Sequence, residues 1–168
     1  MISGISEMPI ADESYPFSSA ERYCHLSAKD YVEREYRVDG TANVYRTADE
    51  DGGVEVMTAD APYSNRIVVR APKDPAQASG NVVVEIINPT SFMEIERMWI
   101  LGHGEFVRSG DIYVGITSKP NTIAKLKEFN PDRYAFMSWA NPTPERPFDF
   151  DPEQLVRGGA LPDMDISY

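Results

Sequence analysis

Residues 80–119 constrain the fold of this chain more than any other stretch. They read strand, sharp turn, helix, strand. Gly80-Asn-Val-Val-Val-Glu-Ile-Ile-Asn88 is a short, nearly unbroken apolar run, the pattern of a strand buried on both faces. Asn88-Pro89-Thr90-Ser91 interrupts it. Ser91 stands three residues before Glu94, the spacing of a capping box, which predicts a helix start there. Ile95, Met98, Trp99 and Phe106 recur at helical spacing, and Ser109-Gly110 ends the element. Asp111-Ile-Tyr-Val-Gly-Ile-Thr117 is a second strand of the buried type, stopped by Lys119-Pro120. Two strands joined by a helix should run parallel, with a right-handed crossover. The expected fold class is α/β. The turn after the first strand then lies at a carboxyl-end edge of the sheet, beside the free N–H groups of a helix start. Ligands gather at that edge in open α/β sheets.

The flanking segments have a different texture. Residues 1–29 read as an irregular N-terminal arm pinned by Tyr15, Phe17 and Tyr23. Val32, Arg34, Tyr36 and Val38 fall on alternate positions, Asp39-Gly40 offers turn chemistry, and Asn43-Val-Tyr-Arg46 returns. Residues 30–49 thus read as an antiparallel hairpin, partly solvated and at the sheet edge. Asp49-Glu-Asp-Gly-Gly53 is a solvated acidic turn, without the alternating ligands and distal Glu of a calcium loop. Val54-Glu-Val-Met-Thr58 and Asn65-Arg-Ile-Val-Val-Arg70 read as two further short strands, and residues 74–79 as a polar loop. Asn121-Thr-Ile-Ala-Lys-Leu-Lys-Glu-Phe129 is a short helix with Ile123, Leu126 and Phe129 on one face. Asn130-Pro131 closes it and opens another turn. Past Trp139 the chain is rich in proline and lacks packing periodicity. The expected organisation is an arm (1–29), one folded domain (30–139) and a loosely held segment (140–168).

Composition narrows the function classes. With 168 residues the chain is long enough for one domain with a core of its own. A formal net charge of -11 disfavours nucleic acid and anionic membrane, both of which need clustered Lys and Arg. The single cysteine, Cys24, excludes an intrachain disulfide and fits a reducing compartment. Neither a signal peptide nor an apolar run of about 20 residues is present, so a cytoplasmic setting is expected.

Few residues offer chemistry. No serine lies in a G-x-S-x-G elbow, and Ser109 reads as a helix-end cap. Cys24 and His25 are adjacent but bring no further metal ligands. His103, between Gly102 and Gly104, lies in the predicted helix with no base and nucleophile pair in view. Glu85, an acid inside an apolar strand, should be paired, with Arg66, Arg70 or Arg97 as its expected partner. Glu94 reads as the capping-box acid and Glu96 as part of a solvated helix face. Neither a dinucleotide fingerprint nor a Walker loop is present, and no cofactor or metal is expected. What remains is the turn 88–91, whose amides could hold a developing negative charge.

Five blocks then stand out in combination: Tyr31-Val-Glu-Arg-Glu-Tyr-Arg-Val-Asp-Gly-Thr-Ala-Asn-Val-Tyr45, Thr58-Ala-Asp-Ala-Pro-Tyr-Ser-Asn-Arg-Ile-Val-Val-Arg-Ala-Pro72, the run 80–88, the run 111–117, and Phe129-Asn-Pro-Asp-Arg-Tyr134. In that order they resemble the N-terminal part of a bacterial group of α/β-hydrolase-domain proteins, from about Tyr31 to Trp139. The resemblance implies antiparallel leading strands, then parallel strands with a crossover helix. It also implies serine-dependent hydrolysis of an ester-type bond. The run 80–88 would precede the oxyanion loop. The donor carried over is Thr90 or Ser91, since Pro89 has no N–H. Ile86 stands where the family usually carries Trp, and Thr90-Ser-Phe-Met is poorer in glycine than the family's helix start.

The family's serine, acid and histidine follow later strands, and His103 comes too early to be the triad histidine. The chain therefore reads as a hydrolase opening without nucleophile or triad and is expected to be inactive alone. The alternative is a non-catalytic module, truncated or completed by another chain. A third reading is a small-ligand domain using the amides of 88–91. In a half-built sheet the strand 111–117 would lack its next neighbour and expose an edge, which implies self-association or a complementing chain.

Overall fold

The computed structural model describes residues 1–10, 14, 24–48, 52–89 and 94–139. Among them the chain builds one six-stranded sheet. Its strands are β1 (Ile2–Met8), β2 (Tyr31–Thr47), β3 (Val54–Pro72), β4 (Val82–Ile86), β5 (Ile112–Ile116) and β6 (Ser138–Trp139). The spatial order is β1-β2-β3-β5-β4, with β6 pairing to β3 off that path. The helices are α1 (Arg97–Ser109), α2 (Pro120–Phe129) and α3 (Pro131–Tyr134).

The expected parallel pair is present. β4 and β5 run side by side in one direction, from Val82 opposite Ile112 to Ile86 opposite Ile116, with α1 between them in sequence. Gly110 ends α1 in the left-handed region at φ 77°, as Ser109-Gly110 predicts. Pro120 and Pro131 open α2 and α3 at favoured first positions, and the Asn130 side chain accepts from the Arg133 amide.

Several expectations are corrected. Residues 30–49 are not a hairpin. β2 runs unbroken through Asp39-Gly40 for 17 residues, and the hairpin is formed by β2 with β3. Gly40 is there for space. A methyl group on it would stand 2.5 Å from the Met1 carbonyl and 2.7 Å from the Tyr63 hydroxyl. Asp39 holds strand neighbours, accepting from Arg37 Nε at 2.8 Å and from the Ser64 hydroxyl. The true turn follows, where the Ala48 amide donates to the Gly53 carbonyl and Gly52 takes φ 84°.

The two short strands of 54–70 are one 19-residue strand. A bulge explains the apparent break. The register shifts between Ala42 and Tyr45, Asp60 turns left-handed at φ 51°, and its amide donates to Asn43 Oδ1 at 3.1 Å. The N-terminal arm begins as β1, paired antiparallel to β2, so β2 lies inside the sheet and not at its edge.

The parallel strands also differ in exposure. The expected open edge at 111–117 is also corrected: β5 is paired on both sides, with β3 and β4, so β4 is the outer strand of this flank. It is not buried on both faces: Val82, Val84 and Ile86 are 55%, 57% and 71% exposed, while Glu85 points to the covered side. On that side Trp99 of α1 packs with Tyr113, Cys24, Leu26 and Tyr31. A second cluster joins Ile123, Leu126, Tyr134 and Met137. Phe129, expected on the same apolar face, is 44% exposed. The expected loose segment 140–168 lies outside the described residues.

Gly110→Ala tests the end of α1. The left-handed backbone alone should cost about 1–2 kcal/mol, and the added carbon would collide with the Gln77 carbonyl. The expected result is a lower urea midpoint with an unchanged m-value. An unchanged midpoint would show that the tight passage of α1 against residues 77–79 is not needed.

Candidate functional site at the carboxyl ends of β4 and β5

Parallel pairing brings the segments that follow β4 and β5 together. The Ile87 amide donates to the Ile116 carbonyl at 2.9 Å, and the Ser118 hydroxyl donates to the Ile87 carbonyl at 2.8 Å. Asn121 Nδ2 reaches the Pro89 carbonyl at 3.4 Å. Asn88 and Ile95 exchange both backbone bonds, at 3.2 and 2.9 Å, and so close the base of the loop between them. Lys119, at φ 73°, leads into α2 at the same edge, and burial pushes its ammonium below the ordinary lysine value.

The loop delivers its chain to α1 later than the capping-box spacing predicts. α1 starts at Arg97, and the N-cap residue Glu96 makes no side-chain cap bond. A carboxylate from the neighbouring strand does that work: Glu85 of β4 accepts from the Met98 amide at 3.0 Å. Its other oxygen accepts from the Tyr113 hydroxyl at 2.6 Å. A negative charge beside the first turn also suits the helix dipole. Glu85 is therefore paired, though with Tyr113 and a helix amide in place of the expected arginine. Burial, then the Glu96 and Glu85 carboxylates, push the Tyr113 phenol far above its ordinary value.

Glu94 and Glu96 are neither capping acid nor solvated face. Both are buried, and both pair with arginines of β3. Alternation along β3 puts Arg66, Val68 and Arg70 on one face, all fully buried. β2 sends Glu35 and Glu33 to the same face. Arg66 donates through Nε to Glu35, and through Nη1 to Glu94 and to Thr117 Oγ1, the last at 3.0 Å. The Thr117 hydroxyl donates to the second Glu94 oxygen at 2.6 Å. Arg70 donates to Glu33 at 2.6 Å and to Glu96 at 2.9 Å, and its guanidinium lies 4.5 Å from the Trp99 ring centroid.

Glu35 also accepts from Arg133 Nε at 3.2 Å and from the Tyr134 hydroxyl at 3.0 Å. Burial works against a charge on Arg66. The Glu94 and Glu35 carboxylates outweigh it and hold the guanidinium above its ordinary pKa. Sequence reasoning missed this network. Its trace is visible as opposite charges at same-face spacing within strand-like runs: Glu33 and Glu35, Arg66 and Arg70.

The structure locates the remaining candidates as follows. Thr90 and Ser91, the proposed oxyanion donors, lie outside the described residues, while both ends of their loop are fixed by Asn88, Glu94 and Ile95. His103 sits within α1, its Nδ1 3.1 Å from the Trp99 carbonyl and its ring 6.0 Å from the Trp99 ring centroid. Cys24 is a buried member of the Trp99 cluster. Among the described residues no group of three or more His, Cys, Asp or Glu side chains could hold a metal ion. No described helix is long and apolar enough to cross a membrane.

A mixed sheet with a helix between its parallel strands, and a loop–helix start at their carboxyl ends, defines an α/β protein. Compared with known families, residues 6–168 match the one described as alpha/beta hydrolase domain, and the chain belongs to that family. Searches of the curated proteins and of the solved structures gave no match.

Two predictions follow from the buried charges. Arg66→Met would leave Glu94 without its guanidinium and strip one cation from Glu35. Breaking such a pair should cost about 3–5 kcal/mol in urea unfolding, with part recovered in Arg66→Met/Glu94→Gln. Equal losses in the two variants would contradict the pairing. For Tyr113 the folded pKa lies above its unfolded value of about 10. Its contribution to stability is then complete below that pH and is lost as pH rises toward the folded pKa. Spectrophotometric titration of the folded chain should leave one more tyrosine unionised at alkaline pH than titration of folded Tyr113→Phe. An equal number of unionised tyrosines in the two proteins would contradict the assignment.

Proposed function

We propose that this chain is the opening, N-terminal part of a serine-dependent, ester-type hydrolase sheet and that it turns over no ester by itself. The observation that carries the reading is the family match in a chain without G-x-S-x-G. The loop closed by Asn88 and Ile95 is the oxyanion loop in this reading. Thr90 or Ser91 supplies one backbone N–H to the developing negative charge, and the nucleophile and its triad partners come from outside these residues. The single cysteine fits a cytoplasmic setting as part of the same reading.

A second reading, a non-catalytic module truncated or completed by another chain, draws on the flank of the sheet. β4 has β5 as its only strand neighbour among the described residues, and Val82, Val84 and Ile86 stand exposed there. A strand from a complementing chain, or from a second copy, would satisfy that edge.

The purified chain should hydrolyse p-nitrophenyl acetate no faster than buffer with an equal mass of an unrelated acidic protein. Turnover that disappears in Thr90→Pro or Ser91→Pro, which remove the donor N–H, would overturn the inactive reading. Size-exclusion chromatography separates the second reading, which expects association. A compact, stable monomer counts against it.

A further inference from the structure

We propose that Arg133 and Tyr134 of α3 are positioning residues for the backbone bridge of Asn88 with Ile95, acting through a buried relay of Glu35, Arg66 and Glu94. The relay spans three parts of the sequence: α3, the neighbouring strands β2 and β3, and the segment before α1. Each link is a rigid, forked group with two faces engaged. Glu35 accepts from Tyr134 and Arg66 on one oxygen and from Arg133 on the other. Arg66 donates to Glu35 from Nε and to Glu94 from Nη1. Glu94 takes Arg66 on one oxygen and the Thr117 hydroxyl on the other. The Arg66 guanidinium also lies 5.8 Å from the Tyr134 ring centroid, so α3 touches both middle members of the relay.

Burial makes the coupling effective. Glu35 and Arg66 are 0% exposed and Glu94 is 3% exposed. At the surface a lost partner is replaced by water. Here a lost donor leaves a carboxylate that must draw harder on its remaining partners or shift. Removing the Tyr134 hydroxyl or the Arg133 fork therefore changes how Glu35 holds Arg66, and through Arg66 how Glu94 is held. Glu94 adjoins Ile95, whose amide and carbonyl close the loop with Asn88. Loosening Glu94 loosens that closure, while the ladder of β3 with β5 has bonds of its own. Anything that displaces α3 would then alter the bridge of Asn88 with Ile95 from the far side of the core.

The inference does not depend on the loop serving as an oxyanion donor, and its test needs no ester. Amide hydrogen exchange is followed residue by residue in the full chain and in Tyr134→Phe, which removes one hydroxyl from the relay. Exchange at Asn88 and Ile95 should rise roughly five- to tenfold, the scale of one lost buried hydrogen bond, with Val69 and Val114 in the sheet unchanged. Unchanged exchange at Asn88 and Ile95 would overturn the relay. A proportional rise at all four amides, the signature of a general loss of stability, would overturn it too. Arg133→Lys keeps the charge but loses the fork, and serves the same purpose if Tyr134→Phe does not fold. A cycle of Tyr134→Phe with Glu94→Gln should give exchange effects at Ile95 that fall short of the product of the two single effects. A simple product would sink the proposal.

Discussion

A guanidinium inside a sheet is tolerable only where carboxylates meet it, because an unpaired buried charge costs several kcal/mol. β3 carries two, Arg66 and Arg70, on one fully buried face. Much of the architecture follows from answering them. β2 must lie beside β3 in the register that brings Glu33 and Glu35 to that face. The segment before α1 must return over the same face to bring Glu94 and Glu96. α3 must sit where Arg133 can share the Glu35 charge. Such pairs add little net stability over an apolar core of equal shape. Their effect is on register: a strand displaced by one residue would leave the charges unanswered.

The same charges explain where the sequence was legible and where it was not. The parallel strands 82–86 and 112–116 and the end of α1 at Gly110 could be read because apolar runs and a left-handed glycine follow local rules. The burial along β2 was not legible. Of the alternating set Val32, Arg34, Tyr36 and Val38 only Val38 is buried, and Glu35 on the other face is buried as well. Hydrophobic pattern reports apolar burial, and a buried ion pair writes the opposite pattern. The misplaced helix start has the same cause. Ser91 and Glu94 have capping-box spacing, but Glu94 is claimed by Arg66 and Thr117, and Glu85 satisfies the first turn from another strand. Asp39-Gly40 likewise has turn chemistry, while Gly40 is required by the closeness of Tyr63 and Met1.

The candidate site was legible as a place more than as a set of groups. Parallel strands predict a carboxyl-end edge, and the segments after β4 and β5 do meet there. What local spacing could not supply was how the loop is held. Its base is a backbone bridge of Asn88 with Ile95, and its anchor is an arginine distant in sequence. The bridge fixes where the chain leaves β4 and where it re-enters the sheet's covered face before α1.

The strand order has a consequence for how the chain is made. Among the described strands β4 pairs with β5 alone, yet β5 comes later in the sequence and must enter between β3 and β4. The long ribbon of β2 and β3 can zip from its turn as soon as both have left the ribosome. Val82–Ile86 then emerges into water with its hydrogen-bonding groups unmatched until α1 and β5 have been synthesised behind it. During that interval the strand presents an unpaired backbone edge, the kind of surface through which nascent chains pair wrongly.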